Sequence, residues 1–188
     1  MIAVTPVRTA TSSELSGTSR SLSKKTRDSH RFCRQHVLAL VPAAPSGIAK
    51  DINDSGQYDA IRPRVLAMDR ATQMNEIRRL TAGPDVIVGS VQAVTESGSL
   101  VIASDSGSQL PGNAGGAARA IWIVGAQKVV PDLPAARRRI EDHGLPLESA
   151  RTQKAHGWPS AINRLLVLNA EFAPGRGTIL LLRESAGF

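Results

Sequence analysis

Ala120-Ile121-Trp122-Ile123-Val124 runs five apolar residues together and leads at once into Gly125-Ala126-Gln127-Lys128. A strand with one wet face alternates polar and apolar residues, and this one does not, so both of its faces are expected to be buried. Strands buried on both faces belong to largely parallel sheets with helices on either side. Outward from it, Asp85 to Val91, Leu100 to Ala103, Leu165 to Leu168 and Thr178 to Leu182 read as further apolar strands. The last two are separated by the turn Pro174-Gly175-Arg176-Gly177. Helices fall between them. Val65, Met68, Ala71, Met74 and Ile77 recur at spacings of three and predict a helix over 64–80. Asp132 is placed to cap a helix through Ile140 that Gly144 closes. Phe32, Val37, Leu38, Leu40 and Val41 predict a short helix that stops before Pro42. The fold class expected is α/β, a Rossmann-like, largely parallel sheet flanked by helices.

The composition agrees. The chain has 188 residues, 41% hydrophobic and 21% charged, within the range of a globular protein. Its apolar runs, such as Ile179 to Leu182, are far short of the roughly 18 residues a membrane helix needs. The net charge of +7 is unevenly placed. Residues 1–40 carry seven basic and two acidic side chains, and the remainder is close to neutral. A basic stripe across a folded domain is therefore missing, and aromatics are only 3%, so no nucleic-acid partner is expected. Residues 1–30 are expected to form a disordered basic extension, and 31–188 a single domain. An Arg- and Ser-rich, acid-poor start is also the composition of an organelle transit peptide. Cys33 is the one cysteine, which leaves no internal disulfide and no cysteine-based metal site in this chain. His30, His36, His143 and His156 lack metal-ligand spacing, so no metal site is expected. Phosphate loops, the G-x-G-x-x-G turn, the G-x-S-x-G elbow and H-E-x-x-H are all absent.

Chemistry concentrates in two polar stretches, Ser90 to Gly98 and Ser104 to Asn113. In an open α/β sheet, ligands bind in loops at the carboxyl ends of strands. Small residues let backbone N–H groups approach a ligand, and Ser, Gln and Asn add neutral hydrogen bonds. The candidate ligand-binding residues are Gln92, Thr95, Ser106, Gly107, Ser108, Gln109, Lys128, Asn163 and Arg176. Glu96 is the carboxylate at the first strand end and the candidate catalytic base or nucleophile. The same pattern is also that of a solvated hairpin turn followed by a glycine-rich connection. Arg137-Arg138-Arg139 reads as the exposed face of a helix.

These stretches carry a family resemblance. Gly89-Ser90-Val91-Gln92-Ala93-Val94-Thr95-Glu96-Ser97-Gly98, Gly107-Ser108-Gln109-Leu110-Pro111 and Ile121 to Leu133 resemble the LUD domain, the lactate-utilisation family of LutC- and YkgG-like proteins. Gly47 to Asn53 with Ser55 to Asp59, Asn163 to Leu166, Pro174-Gly175-Arg176 and Gly187-Phe188 add to it, so it spans roughly 47–188. Gln92 stands where close relatives have His, and Gly112 to Gly116 where an aromatic-containing segment is expected. His36–Ser46 is compressed relative to the family, which implies either a shortened N-terminal part that has lost a strand and exposes a sheet edge, or a misread start.

The resemblance implies a fold similar to the sugar-phosphate isomerase and CoA-transferase superfamily, in a bacterial cytoplasmic protein. It implies a component of L-lactate or other 2-hydroxy-acid oxidation to pyruvate. The ligand would be a small carboxylate or a phosphorylated small molecule. No cofactor is expected in this chain, and iron–sulfur clusters would sit on partner subunits. A homo-oligomer is compatible with the sequence. Two further readings stay open: a self-sufficient isomerase- or transferase-type enzyme using Glu96, and an N-terminally shortened, non-catalytic binding protein.

Overall fold

The computed structural model describes residues 35–39 and 47–188. The chain runs through β1 (His36–Ala39), α1 (Ile48–Asp54), β2 (Asp59–Ala60), α2 (Ile61–Ala67) and α3 (Met74–Ala82). Then come β3 (Val86–Gly89), β4 (Ala93–Thr95), β5 (Leu100–Ser104) and β6 (Arg119–Gly125). After these lie β7 (Val129–Val130), α4 (Leu133–Arg139), α5 (Leu145–His156), β8 (Arg164–Leu168) and β9 (Gly177–Leu182). Two sheets result. One is wholly parallel in the order β2-β1-β3-β6-β9, and the other has the order β7-β4-β5-β8. In the second, β4, β5 and β8 are antiparallel and β7 runs parallel to β4.

The period of two along each strand decides how the sheets stack. Leu38, Ile87, Ala120, Trp122 and Val124 share one face of the parallel sheet with Leu100 and Ile102 of β5, joined by Ile61 and Leu80 from the helices. The second sheet therefore packs on that face. Val37, Ala39, Val86, Val88, Ile123 and Leu182 point the other way, toward Ile48 and Ile52 of α1. The outer face of the second sheet, Ala93 and Val101, is covered by Ala136 and Ile140. Each fully buried Val, Leu or Ile contributes about 1.5–3 kcal/mol, so both faces of β6 matter to stability.

The α/β expectation holds, with helices on a parallel sheet, and several local expectations change. The helix expected through Val37 and Leu38 is strand β1, which sits between β2 and β3 with Val37, Leu38 and Ala39 buried. The strand thought missing from a compressed start is thus present. Four residues are too few to show a helical period, and pairing on both sides decides the matter. The helix over 64–80 is two helices. Between them the Asp69 carboxylate accepts from the Ala71 N–H and the Thr72 hydroxyl, local bonds that compete with the helix. Asp132 does cap α4, accepting from the Ala135 N–H at 2.7 Å. Gly144 does not close that helix: at φ −67 it carries the chain through a wide turn, Ile140–Gly144, into α5. Pro146 follows, and closure waits for Gly157 at φ +86. Leu165 to Leu168 and Thr178 to Leu182 are strands as expected, but in different sheets. The expectations for residues 1–30, including His30, and for Cys33 lie outside the described residues.

Candidate functional site

Because β3, β6 and β9 are adjacent and parallel, their carboxyl ends line one edge of the sheet. That edge is where ligands collect in open α/β sheets. Three short segments leave it: Ser90 to Gln92 after β3, Ala126 to Lys128 after β6, and Ala186-Gly187 beyond β9.

Lys128 is the centre of this edge. Its single helical turn, Ala126–Lys128, carries the side chain inward, where it is only 4% exposed. Nζ donates to Ser90 Oγ at 3.0 Å and to the Val91 carbonyl at 3.1 Å. Both partners are neutral. No ion pair among the described residues includes Lys128. Burial, and then the positive charge of Arg139, lower its pKa from 10.5 to about 8. Arg139 donates through Nη1 to the Gln92 carbonyl at 2.9 Å and through Nε to the Gln127 carbonyl at 3.3 Å, and burial lowers its pKa too. Two cations thus face backbone carbonyls and a hydroxyl, with no carboxylate among the described residues paired to Lys128. Gly187 closes the group: at φ +69, a Cβ on it would stand 3.2 Å from Nζ.

The residues expected from sequence divide into four places. Lys128 and Gln92 belong to this edge. The Gln92 side-chain oxygen accepts from the Ala103 N–H at 2.9 Å, and Gln109 donates to the Ala103 carbonyl at 3.1 Å. The two amides bracket the end of β5, so Gln92 joins Lys128 to the loop after Ser104. In that loop the Ser106 and Ser108 hydroxyls lie 3.1 Å apart, and the Gly107 N–H donates to Ser104 Oγ at 2.9 Å. Asn163 donates to the Asp105 carboxylate, and Arg164 to the Asp105 carbonyl at 2.7 Å. Gly107 has φ +78, and a Cβ there would stand 2.7 Å from the Arg164 side chain.

Thr95 and Glu96 lie at the other end of the β4–β5 hairpin. Thr95 Oγ1 accepts from the Ser99 N–H at 2.9 Å and bonds Ser97 Oγ at 2.9 Å. Glu96 is exposed at the tip, its N–H donating to the Val130 carbonyl at 2.9 Å. Arg176 lies at the opposite edge of the parallel sheet, before β9, one length of β6 or about 20 Å from Lys128. It is buried and donates to the carbonyls of Ala117, Gly112 and Asn113 at 2.8, 2.9 and 3.1 Å, and to Glu171. Those bonds hold the turn Gly112–Gly116, whose Asn113 accepts from Trp122 Nε1 at 2.8 Å. Arg176 is placed as a structural staple.

Ser90, Gln127, Arg139 and Gly187 complete the edge and were not candidates from sequence. Arg139 was open to inference. Three consecutive helical residues fan over about 200°, so Arg137, Arg138 and Arg139 cannot share one exposed face. Arg137 pairs outward with Glu141 at 2.7 Å, Arg138 is exposed, and Arg139 turns in. Ser90 and Gly187 lie in stretches that carry the resemblance, but nothing local assigns either a role.

The family model of the LUD domain matches residues 35–163. This chain belongs to the LUD domain family. The match opens one residue before β1 and takes in Ser90, Gln92, Lys128 and Arg139, with β9 and Gly187 beyond it. No curated protein matches the LUD chain. Among solved structures, a DUF162 family protein from Deinococcus radiodurans is similar at 12% identity, over 92% of this chain and 84% of that one, with a TM-score of 0.47. Among the described residues no helix is long and apolar enough to cross a membrane, and no group of His, Cys, Asp and Glu could hold a metal ion.

Proposed function

We propose that this LUD protein binds a small 2-hydroxy or 2-oxo carboxylate, L-lactate or pyruvate, at the Lys128 edge of the parallel sheet. It would act as a component of lactate oxidation alongside iron–sulfur partner subunits. The observation that carries this reading is the buried Lys128 ammonium, paired with no carboxylate among the described residues and held by Ser90 and Val91 at the carboxyl end of three parallel strands. An uncompensated buried cation is stabilised by an anion, and a charge-assisted bond is about twice as strong as a neutral one. The Ser90 hydroxyl can accept from a substrate hydroxyl, and Arg139 adds positive potential. Family membership supports the lactate-utilisation context.

Taking lactate to pyruvate removes two electrons and two protons. A chain with one cysteine cannot hold an iron–sulfur cluster by itself, so the electron acceptor would be a partner's. The residues here would bind and orient the carboxylate and shield it from water. The reading through Glu96 as base or nucleophile gains nothing from geometry, since Glu96 is exposed at a hairpin tip away from Lys128. The shortened-remnant reading loses one of its supports, since β1 supplies the strand expected to be missing.

A thermal-shift series tests the reading with L-lactate, pyruvate, glycolate, sugar phosphates and CoA esters. A ligand at about 100 times its Kd stabilises a protein by about 2.7 kcal/mol. Stabilisation by L-lactate or pyruvate that Lys128→Met removes is the expected result. Stabilisation by sugar phosphates or CoA esters alone would move the protein to phosphorylated ligands. A shift that survives Lys128→Met would move the site.

A further inference from the structure

The Gln127 side chain treats Ala186 as a strand would, bonding both sides of its peptide. Nε2 donates to the carbonyls of Ala186 at 3.3 Å and Gly187 at 3.1 Å, and Oε1 accepts from the Ala186 N–H at 3.4 Å. This approach needs a glycine next door: a Cβ on Gly125 would stand 2.1 Å from Gln127 Oε1 and 2.5 Å from the Ala186 nitrogen. Ala186 is anchored below, packed with Val88, Ile123 and Leu182. Gly187 is thereby set against Lys128, and with it in place the lysine is 4% exposed.

We propose that Gln127 is a positioning residue that latches Ser185–Gly187 over Lys128, and that a ligand reaches the amine only when this latch opens. Two of the three bonds, at 3.3 and 3.4 Å, lie beyond the long end of the usual range, which suits a contact that must break repeatedly. A side chain in place of Gly187 would press on Nζ, so the close approach of this segment to the lysine requires the glycine. The proposal rests on the anion site at Lys128, but the latch can be read without any ligand.

The experiment acetylates the full chain with an amine-reactive ester and follows Lys128 by peptide mass spectrometry. Lys154, exposed on α5, is the internal reference. Wild-type Lys128 should react far more slowly than Lys154. Gln127→Leu and Gly125→Ala, two independent ways to break the latch, should each raise the Lys128-to-Lys154 ratio about tenfold, the scale of local opening released by losing such bonds. Melting curves identify a variant that has lost its fold, and the other variant then decides. An unchanged ratio in a cooperatively folded variant overturns the latch. Pyruvate protection separates the two proposals. If the ratio rises but pyruvate never protects Lys128, the latch stands and the carboxylate reading falls. If pyruvate protects Lys128 while the ratio is unmoved, the site stands and the latch falls.

Discussion

Lys128 Nζ donates to Ser90 Oγ at 3.0 Å, a bond that ties the segment after β6 to the segment after β3. It forms because the two strands are neighbours and parallel, so their outgoing turns emerge side by side. The lysine spends its charge on neutral acceptors. Its value to a ligand follows from that.

Lys128→Met keeps an unbranched side chain of similar length and removes the charge. A hydrogen bond to a charged group is worth about 1.5–3 kcal/mol, so affinity for pyruvate should fall about ten- to hundredfold. Isothermal titration measures it. An unchanged Kd would place the carboxylate elsewhere.

The pKa of Lys128, lowered to about 8, sets the pH behaviour. The folded chain holds this proton less tightly than the unfolded chain, where the ordinary 10.5 applies. Below about pH 8 the lysine is charged in both states, and the full cost of burying the charge is present. From about 8 to 10.5 the unfolded chain binds more protons, so stability rises with pH, by at most about 3 kcal/mol from this group. Anion affinity moves the other way and falls above about pH 8. Urea midpoints of wild type and Lys128→Met over this range provide the check. Wild type should gain on the variant as pH rises, and parallel curves would show that Lys128 does not titrate there.

How much of this could be read from the sequence depended on length and repetition. β6 and β9 were legible because each presents an unbroken apolar run, five residues in β6 and four in β9, as expected of a strand packed on both faces. β1 was not, because its four residues acquire their identity from partners 49 and 23 positions away, Val37 on Val86 and on Ala60 among them. The second sheet was hidden for the same reason, since β4 and β7 have three and two residues. At the site, Lys128 was found through its place after an apolar strand. Gly187 was not, because its role depends on a contact across β6 and β9 that local pattern does not carry.

Arg176 offers a contrast between stability and binding. Its guanidinium serves three carbonyls and Glu171, with side-chain exposures of 8% and 25% for the two charged partners. Arg176→Met leaves those groups unpaired and should cost about 3–5 kcal/mol. Arg176→Lys keeps the charge without the planar fork and should recover only part of that loss. Chemical denaturation measures both. Wherever the variants remain folded, the pyruvate-induced shift should persist, because Lys128 lies at the other edge of the sheet.

Glu96→Gln separates the Lys128 reading from one built on a catalytic carboxylate. Glu96 is exposed in the turn between β4 and β5, and what fixes that turn is its backbone N–H on the Val130 carbonyl together with the Thr95–Ser99 bonds. The substitution preserves all of these. Stability should stay within about 0.5 kcal/mol of wild type, as for other surface changes. Carboxylate binding should be unaltered, since no contact links the Glu96 side chain to Ser90, Gln92 or Lys128 among the described residues. If instead Glu96→Gln abolishes turnover in a reconstituted lactate-oxidising system while pyruvate still binds, the hairpin tip takes part in the reaction. The chemistry would then be divided between the two ends of β4, and Lys128 would be left with binding alone.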